Sequence, residues 1–212
     1  AVGYYVNIDG TFSETFVSSS SNASGYSIAK IFYMGDISSD TQLAIDYPHC
    51  TRGLAYEVDP STGLFKLNKE EYIYGRDVYE SWGAGVCPMI NWDTKDSYLY
   101  SYSYPHGYTN TVAIRQYSTQ GFMSAVDTSS PVVDGVTSSW YIPSVYELKL
   151  IGKDTISAVD NTWTSEIWTS SIYSLTGTSS IAGYYVFNTD KVTELSTIND
   201  YNRKPYCRIL AF

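Results

Sequence analysis

Short runs of β-branched and aromatic residues alternate with turn-forming residues along most of the chain. Such runs favour strands, because branched and aromatic side chains pack well on a pleated surface. The serine-rich residues 18–24 predict a loop, and residues 59–63, Asp-Pro-Ser-Thr-Gly, predict a tight turn. The predicted strands cover residues 4–6, 29–34, 53–58, 98–104, 184–188 and 208–212.

Two segments have the apolar spacing of helices. Residues 109–118 follow a Pro and a Gly and place their apolar side chains on one helical face. Ser144 and Glu147 have the Ser-x-x-Glu spacing of a capping box, and the apolar stripe after them predicts a helix that ends near Gly152. Residues 127–139, rich in Ser, Thr and Val, predict an internal loop.

Composition favours one domain over residues 1–212 with a recognition surface. Hydrophobic residues make up 43% of the 212 residues, which is enough to build a core. Charged residues make up only 17%, and there are 22 tyrosines, so Tyr, Ser, Thr and Asn must cover much of the surface. Rigid tyrosine rings supply contact area at low entropic cost, which suits extracellular binding.

The net charge of −9 argues against nucleic acid and anionic membranes as partners, because both are bound by basic surfaces. No apolar stretch is long enough to span a bilayer, so we expect no membrane insertion. The chain opens at Ala1 without Met or a leader-like segment. We therefore expect it to be a mature or excised fragment, with its targeting signal outside this sequence.

The pattern of cysteines and histidines gives little support to catalysis. Cys50, Cys87 and Cys207 lack Cys-x-x-Cys spacing, so they are either buried free thiols or, in an exported protein, one disulfide and a remaining thiol. His49 and His106 both adjoin Pro and lie in no metalloprotease or hydrolase motif. We therefore expect no catalytic residues, no cofactor and no enzyme activity.

A series of short motifs runs from one end of the chain to the other. The motifs are Val2-Gly-Tyr-Tyr5, Asp9-Gly-Thr-Phe-Ser13, Ile31-Phe-Tyr-Met-Gly-Asp36, Pro48-His-Cys-Thr-Arg-Gly-Leu54, Gly107-Tyr-Thr-Asn-Thr-Val-Ala-Ile114, Trp140-Tyr-Ile-Pro-Ser-Val-Tyr-Glu-Leu148, Trp168-Thr-Ser170, Gly183-Tyr-Tyr-Val186 and Arg208-Ile-Leu-Ala-Phe212. In this order they resemble the C-type-lectin-like domains of the Lcl C-terminal (DUF1566-like) group, found in Bacteroides-type fimbrial and cell-surface proteins.

The resemblance implies an α+β, C-type-lectin-like fold with short antiparallel sheets, two helices and long loops. The chain ends would meet in one sheet, with the helices packed beside it. Trp140, Trp168 and Phe212 are expected to be core anchors, because large rings at such positions usually fill the interior. Trp82, Trp92 and Trp163 have polar, loop-like neighbours, where binding and the capping of a small cluster are both open.

The resemblance also points to a binding face. In it, residues 171–180 and 196–202 flank the strand at Tyr184 and lie close together. The second segment has the Asn, Tyr and Asp content of the variable positions in diversity-generating members of the wider family, although an ordinary polar loop is equally compatible. The predicted ligand-binding residues are Tyr173, Thr176, Asn199, Asp200, Tyr201, Asn202 and Trp163.

No calcium-dependent sugar site is expected. Calcium takes six to eight oxygen ligands, and the Glu-Pro-Asn and Trp-Asn-Asp triplets of animal lectins are absent. Asp36, Asp40 and Asp46 are interpreted as a solvated acidic face. We therefore predict no metal site.

These patterns leave four hypotheses in order. The first is a non-catalytic adhesion or ligand-binding domain of a bacterial surface or fimbrial protein, outside the cell, with an unknown protein or glycan as ligand. The second is a retroelement-diversified receptor or phage tropism protein of the same fold. The third is a structural pilus subunit whose partners are other subunits, and the last is a formylglycine-generating type of enzyme using Cys207.

Overall fold

The computed structural model describes residues 1–71, 105–115, 130–157, 166–174, 180–186, 191–194 and 204–212. The helices are α1 (Thr41–Asp46), α2 (Gly107–Arg115), α3 (Val145–Ile151) and α4 (Lys153–Ser157). The strands are β1 (Tyr5–Asn7), β2 (Phe12–Ser13), β3 (Ser27–Met34), β4 (Gly53–Glu57), β5 (Asn68–Glu71), β6 (Val132–Val133), β7 (Val136–Thr137), β8 (Trp140–Tyr141), β9 (Glu166–Ser174), β10 (Ser180–Val186), β11 (Lys191–Glu194), β12 (Lys204–Tyr206) and β13 (Ile209–Ala211). The protein is thus mixed α+β, with antiparallel sheets and short helices.

The main sheet joins the two ends of the chain. Its strand order is β2-β1-β3-β4-β13-β8, and every neighbouring pair is antiparallel. The N-terminal β1 and the C-terminal β13 therefore share one sheet, as predicted, although β3 and β4 lie between them. A second sheet has the order β11-β10-β9, and β12 pairs with β5.

Both faces of the main sheet carry buried side chains. Along β13, Ile209 and Ala211 join one apolar cluster, while Leu210 and the terminal Phe212 join the other. This alternation follows from the strand, in which successive side chains point to opposite faces. The larger cluster lies under the helices and includes Leu148 of α3.

The predicted core anchors are confirmed. Trp140 and Phe212 belong to the smaller cluster and are 4% and 3% exposed. Trp168 on β9 is 1% exposed and is among the largest fully buried side chains in the described part of the chain. Trp82, Trp92 and Trp163 lie outside the described residues, as does the strand predicted over residues 98–104.

The helix at α3 is confirmed with its predicted ends. The Ser144 hydroxyl accepts a hydrogen bond from the Glu147 N–H, and the Glu147 carboxyl accepts one from the Ser144 N–H. Gly152 follows the last turn with a φ of 84°, a conformation that glycine adopts without strain. α2 begins at Gly107, two residues before the predicted start.

Two sequence predictions of secondary structure are wrong. The expected count of two helices misses α1 and α4, which are too short to show a clear apolar period. The predicted loop over residues 127–139 contains the hairpin β6–β7 within its described part. Its turn is Asp134-Gly135, where φ is 52° and 77°, so both residues have the positive φ of a type I′ turn.

Candidate functional site

Tyr173 is the one predicted ligand-binding residue whose backbone the structure describes. It lies in β9, opposite Ile181 of β10. Thr176, Asn199, Asp200, Tyr201, Asn202 and Trp163 lie outside the described residues.

Strands β9 and β11 finish toward the same end of the three-stranded sheet. β9 ends at Ser174, opposite Ser180 at the start of β10. β11 runs antiparallel to β10, and its last residue, Glu194, lies opposite Gly183. The chain therefore leaves both β9 and β11 toward the starting end of β10. Thr176 follows β9 and residues 199–202 follow β11 in the sequence, and their shared location stays a prediction.

The strand that follows Trp163 starts elsewhere. β9 begins at Glu166, which pairs with Val186 at the opposite end of the sheet from Ser174. Trp163 precedes this start by three residues. The start of β9, which follows Trp163 in the sequence, therefore lies at the opposite end of the sheet from Ser174, the end of the strand that carries Tyr173.

The first half of β9 is fixed to the protein core. Ile167, Trp168, Thr169 and Ser170 are all buried, and Ile167 belongs to the larger apolar cluster. The Ser170 N–H donates a hydrogen bond of 2.9 Å to the carbonyl of Pro143, just before α3. Helices α2 and α3 both pack against β9. The strand that carries Tyr173 therefore extends from a rigid base.

A buried polar cluster joins α1 to α2, and the sequence analysis missed it. Asp40 was interpreted as part of a solvated acidic face, but it is 1% exposed, so that interpretation is wrong for this residue. Its carboxylate accepts hydrogen bonds from four donors in two helices. The donors are the N–H groups of Leu43, Tyr108 and Thr109 and the hydroxyl of Thr109.

Asp36 and Asp46 differ from Asp40 in their exposure. Both are exposed, as predicted. The Asp36 carboxylate accepts a hydrogen bond from the Ser38 N–H, which lowers the pKa of Asp36. Asp46 accepts a hydrogen bond of 2.9 Å from the hydroxyl of Tyr108. Tyr108 thus connects Asp46 at the end of α1 to the start of α2.

Glu147 is the second acid of this cluster and is fully buried. Burial, followed by the negative charge of Asp40, raises the pKa of Glu147 to about 8. The hydroxyl of Tyr141 lies 3.1 Å from the Glu147 Oε1 atom. A carboxyl group that keeps its proton near neutral pH is a chemical feature of catalytic sites and of structural cores alike.

A shallow apolar depression lies at the end of the main sheet where the chain termini meet. Among its lining residues, the charged side chain is Arg52, which already pairs with Asp134 at 3.0 Å. The depression therefore offers few polar groups to orient a ligand. It is lined by Ala1, Phe12, Ile31, Met34, Arg52 and Phe212.

The described residues provide neither a metal centre nor a reactive thiol. No group of three His, Cys, Asp or Glu side chains among them is placed to hold a metal ion. Cys207 is 0% exposed, and burial raises its pKa well above the ordinary thiol value. Cys50 is also a buried free thiol with a raised pKa, and Cys87 lies outside the described residues.

The helices of the described segments are short. None of them has the length and apolar character that a membrane span requires.

Comparison with known proteins gives a match in fold. No protein-family model matches the chain, and no curated protein matches it. One solved structure that matches is a fimbrial protein from Bacteroides ovatus, with a TM-score of 0.57 and 15% sequence identity. The match covers 100% of this chain and 49% of that protein, so the chain spans about half the length of its structural relative. At this identity, the two proteins share a fold.

Proposed function

We propose that this chain is a non-catalytic binding domain, with a C-type-lectin-like fold, of a bacterial fimbrial or other cell-surface protein. The observation that carries the proposal is the fold shared along the whole chain with a protein described as fimbrial. The proposal places the domain outside the cell. It assigns as ligand a protein or glycan that is bound by direct contacts, without a cofactor.

The proposed binding face is the end of the three-stranded sheet where β9 and β11 finish. Two features support it. β9 is held in the core by Trp168 and its neighbours, so loops that leave this sheet start from a fixed base. The segments beyond Ser174 and Glu194 contain Thr176, residues 199–202 and their tyrosine and amide side chains. Rigid support beneath tyrosine- and asparagine-rich loops is the usual design of a recognition surface.

Burial of Cys207 supports the choice of a binding protein over an enzyme of the formylglycine-generating kind. Such an enzyme needs an accessible thiolate. A thiol with no exposure and a raised pKa stays protonated at neutral pH and is shielded from a peptide substrate.

A structural pilus subunit is the second candidate, because a fold shared with a fimbrial protein fits this role equally well. In this role a neighbouring subunit would add a strand to an open sheet edge. The edge strands of the main sheet, β2 and β8, have two residues each. Such short edges give little backbone for strand addition, which makes the main sheet a poor acceptor.

A screen against glycans and host proteins tests the proposed function. The wild-type domain is compared with a variant in which Tyr173, Asn199, Asp200 and Tyr201 are all changed to Ala. A control variant carries Ala at three exposed positions of other segments, Thr15, Ser20 and Lys149. Circular dichroism and thermal unfolding establish that all three proteins fold.

The proposal expects a ligand that the wild type and the control bind and the quadruple variant does not. Binding that survives in the quadruple variant would reject this face. Absence of any ligand, together with concentration-dependent assembly of the domain, would favour the structural subunit. An adenine-rich template copy of the coding region for residues 196–202, beside a reverse transcriptase gene, would identify a diversified receptor.

A further inference from the structure

Glu147 is a carboxyl group sealed inside the protein. Its Oε2 atom accepts a hydrogen bond of 2.6 Å from the Ser144 N–H, and its Oε1 atom contacts the Tyr141 hydroxyl at 3.1 Å. Both Glu147 and Tyr141 are 0% exposed. Within the described ranges, no Lys, Arg or His side chain forms an ion pair with this carboxyl. An ionised carboxylate in such a place would lack the compensation that water or a cation provides.

Gly107, the first residue of α2, packs directly against the Glu147 carboxyl. A Cβ atom on Gly107 would overlap the Glu147 Oε2 atom and would lie 2.9 Å from both the Ile142 carbonyl oxygen and the Ser144 nitrogen. The Thr111 hydroxyl also accepts a hydrogen bond of 3.0 Å from the Ile142 N–H. The start of α2 therefore packs directly on the segment that carries Glu147.

The charged group near Glu147 is Asp40, whose negative charge would repel an ionised Glu147 carboxylate. Asp40, the N-cap of α1, is buried, and its negative charge raises the pKa of Glu147 in addition to the larger effect of burial. His106 gives little compensation, because burial lowers its pKa, although Asp40 opposes that shift. The other titratable groups near Asp40 and Glu147 are phenols and thiols. Burial raises their pKa values, so they stay neutral near pH 7; they are Tyr108, Tyr141, Cys50 and Cys207.

We propose that the proton on Glu147 is a lock between α2 and α3. The neutral acid allows the backbone at Gly107 to pack against it. Loss of the proton places a second negative charge near Asp40 inside the core, and α2 then separates from α3. The fold thus contains a pH-dependent element that opens in mildly alkaline solution.

The direction of the pH effect follows from linkage. Folding raises the pKa of Glu147 from an ordinary value of 4.5 to about 8. The stabilisation is therefore complete below about pH 4.5 and is lost as the pH rises to about 8. One proton changes the unfolding equilibrium constant by up to about tenfold per pH unit. His106 acts in the opposite direction, mainly below its ordinary pKa of 6.5. The raised thiol pKa values of Cys50 and Cys207 act in the same direction as Glu147 as the pH approaches 9, and the comparison with Glu147→Gln removes their contribution.

Carbon-13 NMR of the glutamate carboxyls in the wild-type domain tests the lock directly. We expect one glutamate signal to titrate with a midpoint near pH 8 and to be missing from the Glu147→Gln variant. A set of glutamate signals that all titrate below pH 5.5 would overturn the proposal. The wild-type spectrum alone can overturn the proposal, and the Glu147→Gln spectrum assigns the signal near pH 8 to Glu147.

Denaturant unfolding between pH 6.5 and 8.5 provides the second test. The unfolding equilibrium constant of the wild type should rise across this interval. That of Glu147→Gln should rise less steeply, and the difference between the two slopes should be at most about tenfold per pH unit. Glu14→Gln, at an exposed position, is the matched control and should follow the wild type. Parallel profiles for the wild type and Glu147→Gln would contradict the lock.

Two further measurements test the role of Asp40 and the separation of α2 from α3. Asp40→Asn retains an oxygen that can cap the helices but removes the charge, so the Glu147 midpoint should move to lower pH; an unchanged midpoint would exclude Asp40 from the device. Amide hydrogen exchange at residues 108–112, corrected for intrinsic rates, should accelerate above pH 8 in the wild type and not in Glu147→Gln. Equal acceleration in both proteins would exclude the separation of α2.

Discussion

The carboxylate of Asp40 accepts a hydrogen bond of 2.9 Å from the backbone N–H of Tyr108, 68 residues further along the chain. The same side chain caps α1 through the Leu43 N–H. One buried acid therefore satisfies the first N–H groups of two helices, whose partial positive charge it also complements. This shared cap holds α1 and α2 together, and α2 in turn packs against β9.

Replacing Asp40 with Ala should destabilise the protein by about 3 kcal/mol, because two helix starts lose their cap and buried N–H groups lose their acceptor. Asp40→Asn should cost less, since its amide oxygen can still accept. Asp36→Ala, at an exposed position, should leave stability nearly unchanged. Urea unfolding measures all three, and similar losses for Asp36→Ala and Asp40→Ala would contradict the double cap.

Gly107→Ala should destabilise the protein by about 2–3 kcal/mol through steric overlap. The added Cβ would meet the Ile142 carbonyl and the Ser144 nitrogen at 2.9 Å, and neither backbone atom can move away without disturbing α3. Gly135→Ala separates this effect from backbone strain. Gly135 has a φ of 77° but open space around it, so its replacement should cost about 1 kcal/mol. Thermal unfolding of both variants gives the comparison, and a neutral Gly107→Ala would show that α2 does not pack as described.

The buried Glu57 of β4 forms an ion pair with the largely buried Arg208, which lies just before β13. The Arg208 Nε atom lies 2.8 Å from Glu57 Oε2, and Lys66 Nζ lies 2.8 Å from Glu57 Oε1. Arg208→Ala should cost about 3 kcal/mol, because it leaves the Glu57 charge poorly compensated. Arg52→Ala is the control, since its half-exposed pair with Asp134 should contribute less than about 1 kcal/mol. Guanidinium unfolding measures both, and equal losses would argue against the buried pair.

Acid should weaken the same pair. Burial would raise the pKa of Glu57, but the hydrogen bonds and charges of Arg208 and then Lys66 outweigh it and hold the pKa below 4.5. The pair therefore stabilises the fold above about pH 4.5, and this contribution is lost as the pH falls through the lowered value. In an acid titration followed by circular dichroism, Glu57→Gln should show a shallower loss of stability than the wild type. An unchanged acid profile would contradict the assignment.

The two described cysteines should resist modification in the folded protein. Cys50 and Cys207 are 1% and 0% exposed, and burial raises the pKa of both thiols. Iodoacetamide at pH 8, followed by peptide mass mapping, should label them at least 100-fold more slowly than in denaturant, on the order expected when labelling requires opening. Rapid labelling of folded Cys207 would return the enzyme hypothesis to consideration.

The helices and turns that can be predicted from the sequence are those marked by residues close together along the chain. The capping box of Ser144 and Glu147 and the terminal Gly152 lie within nine residues, so α3 can be recognised without knowing the fold. The Asp134-Gly135 pair is an equally local hairpin signal, and it could have identified β6–β7 within the predicted loop. The burial of Asp40 has no such signal, because it depends on Tyr108 and Thr109, which only the tertiary fold brings near.

The candidate site is predictable to a smaller extent. The core role of Trp168 follows from its bulk and its place in a strand-forming segment, and the structure confirms its burial. The pairing of β9, β10 and β11 shows that β9 and β11 finish toward the same end of their sheet. Ligand contacts depend on side-chain chemistry within loops, and a fold that hosts many functions does not specify them. The roles assigned to Tyr173 and residues 199–202 therefore remain predictions.

The measurement that tests the central proposal most directly is the affinity of the domain for a ligand identified in the glycan and host-protein screen. The wild type and the variant with Ala at Thr15, Ser20 and Lys149 should bind it equally. The variant with Ala at Tyr173, Asn199, Asp200 and Tyr201 should lose at least 100-fold in affinity while staying folded, since a few aromatic and polar anchors usually carry most of the binding energy. Equal affinity in all three proteins would contradict the assignment of the binding face to this end of the sheet.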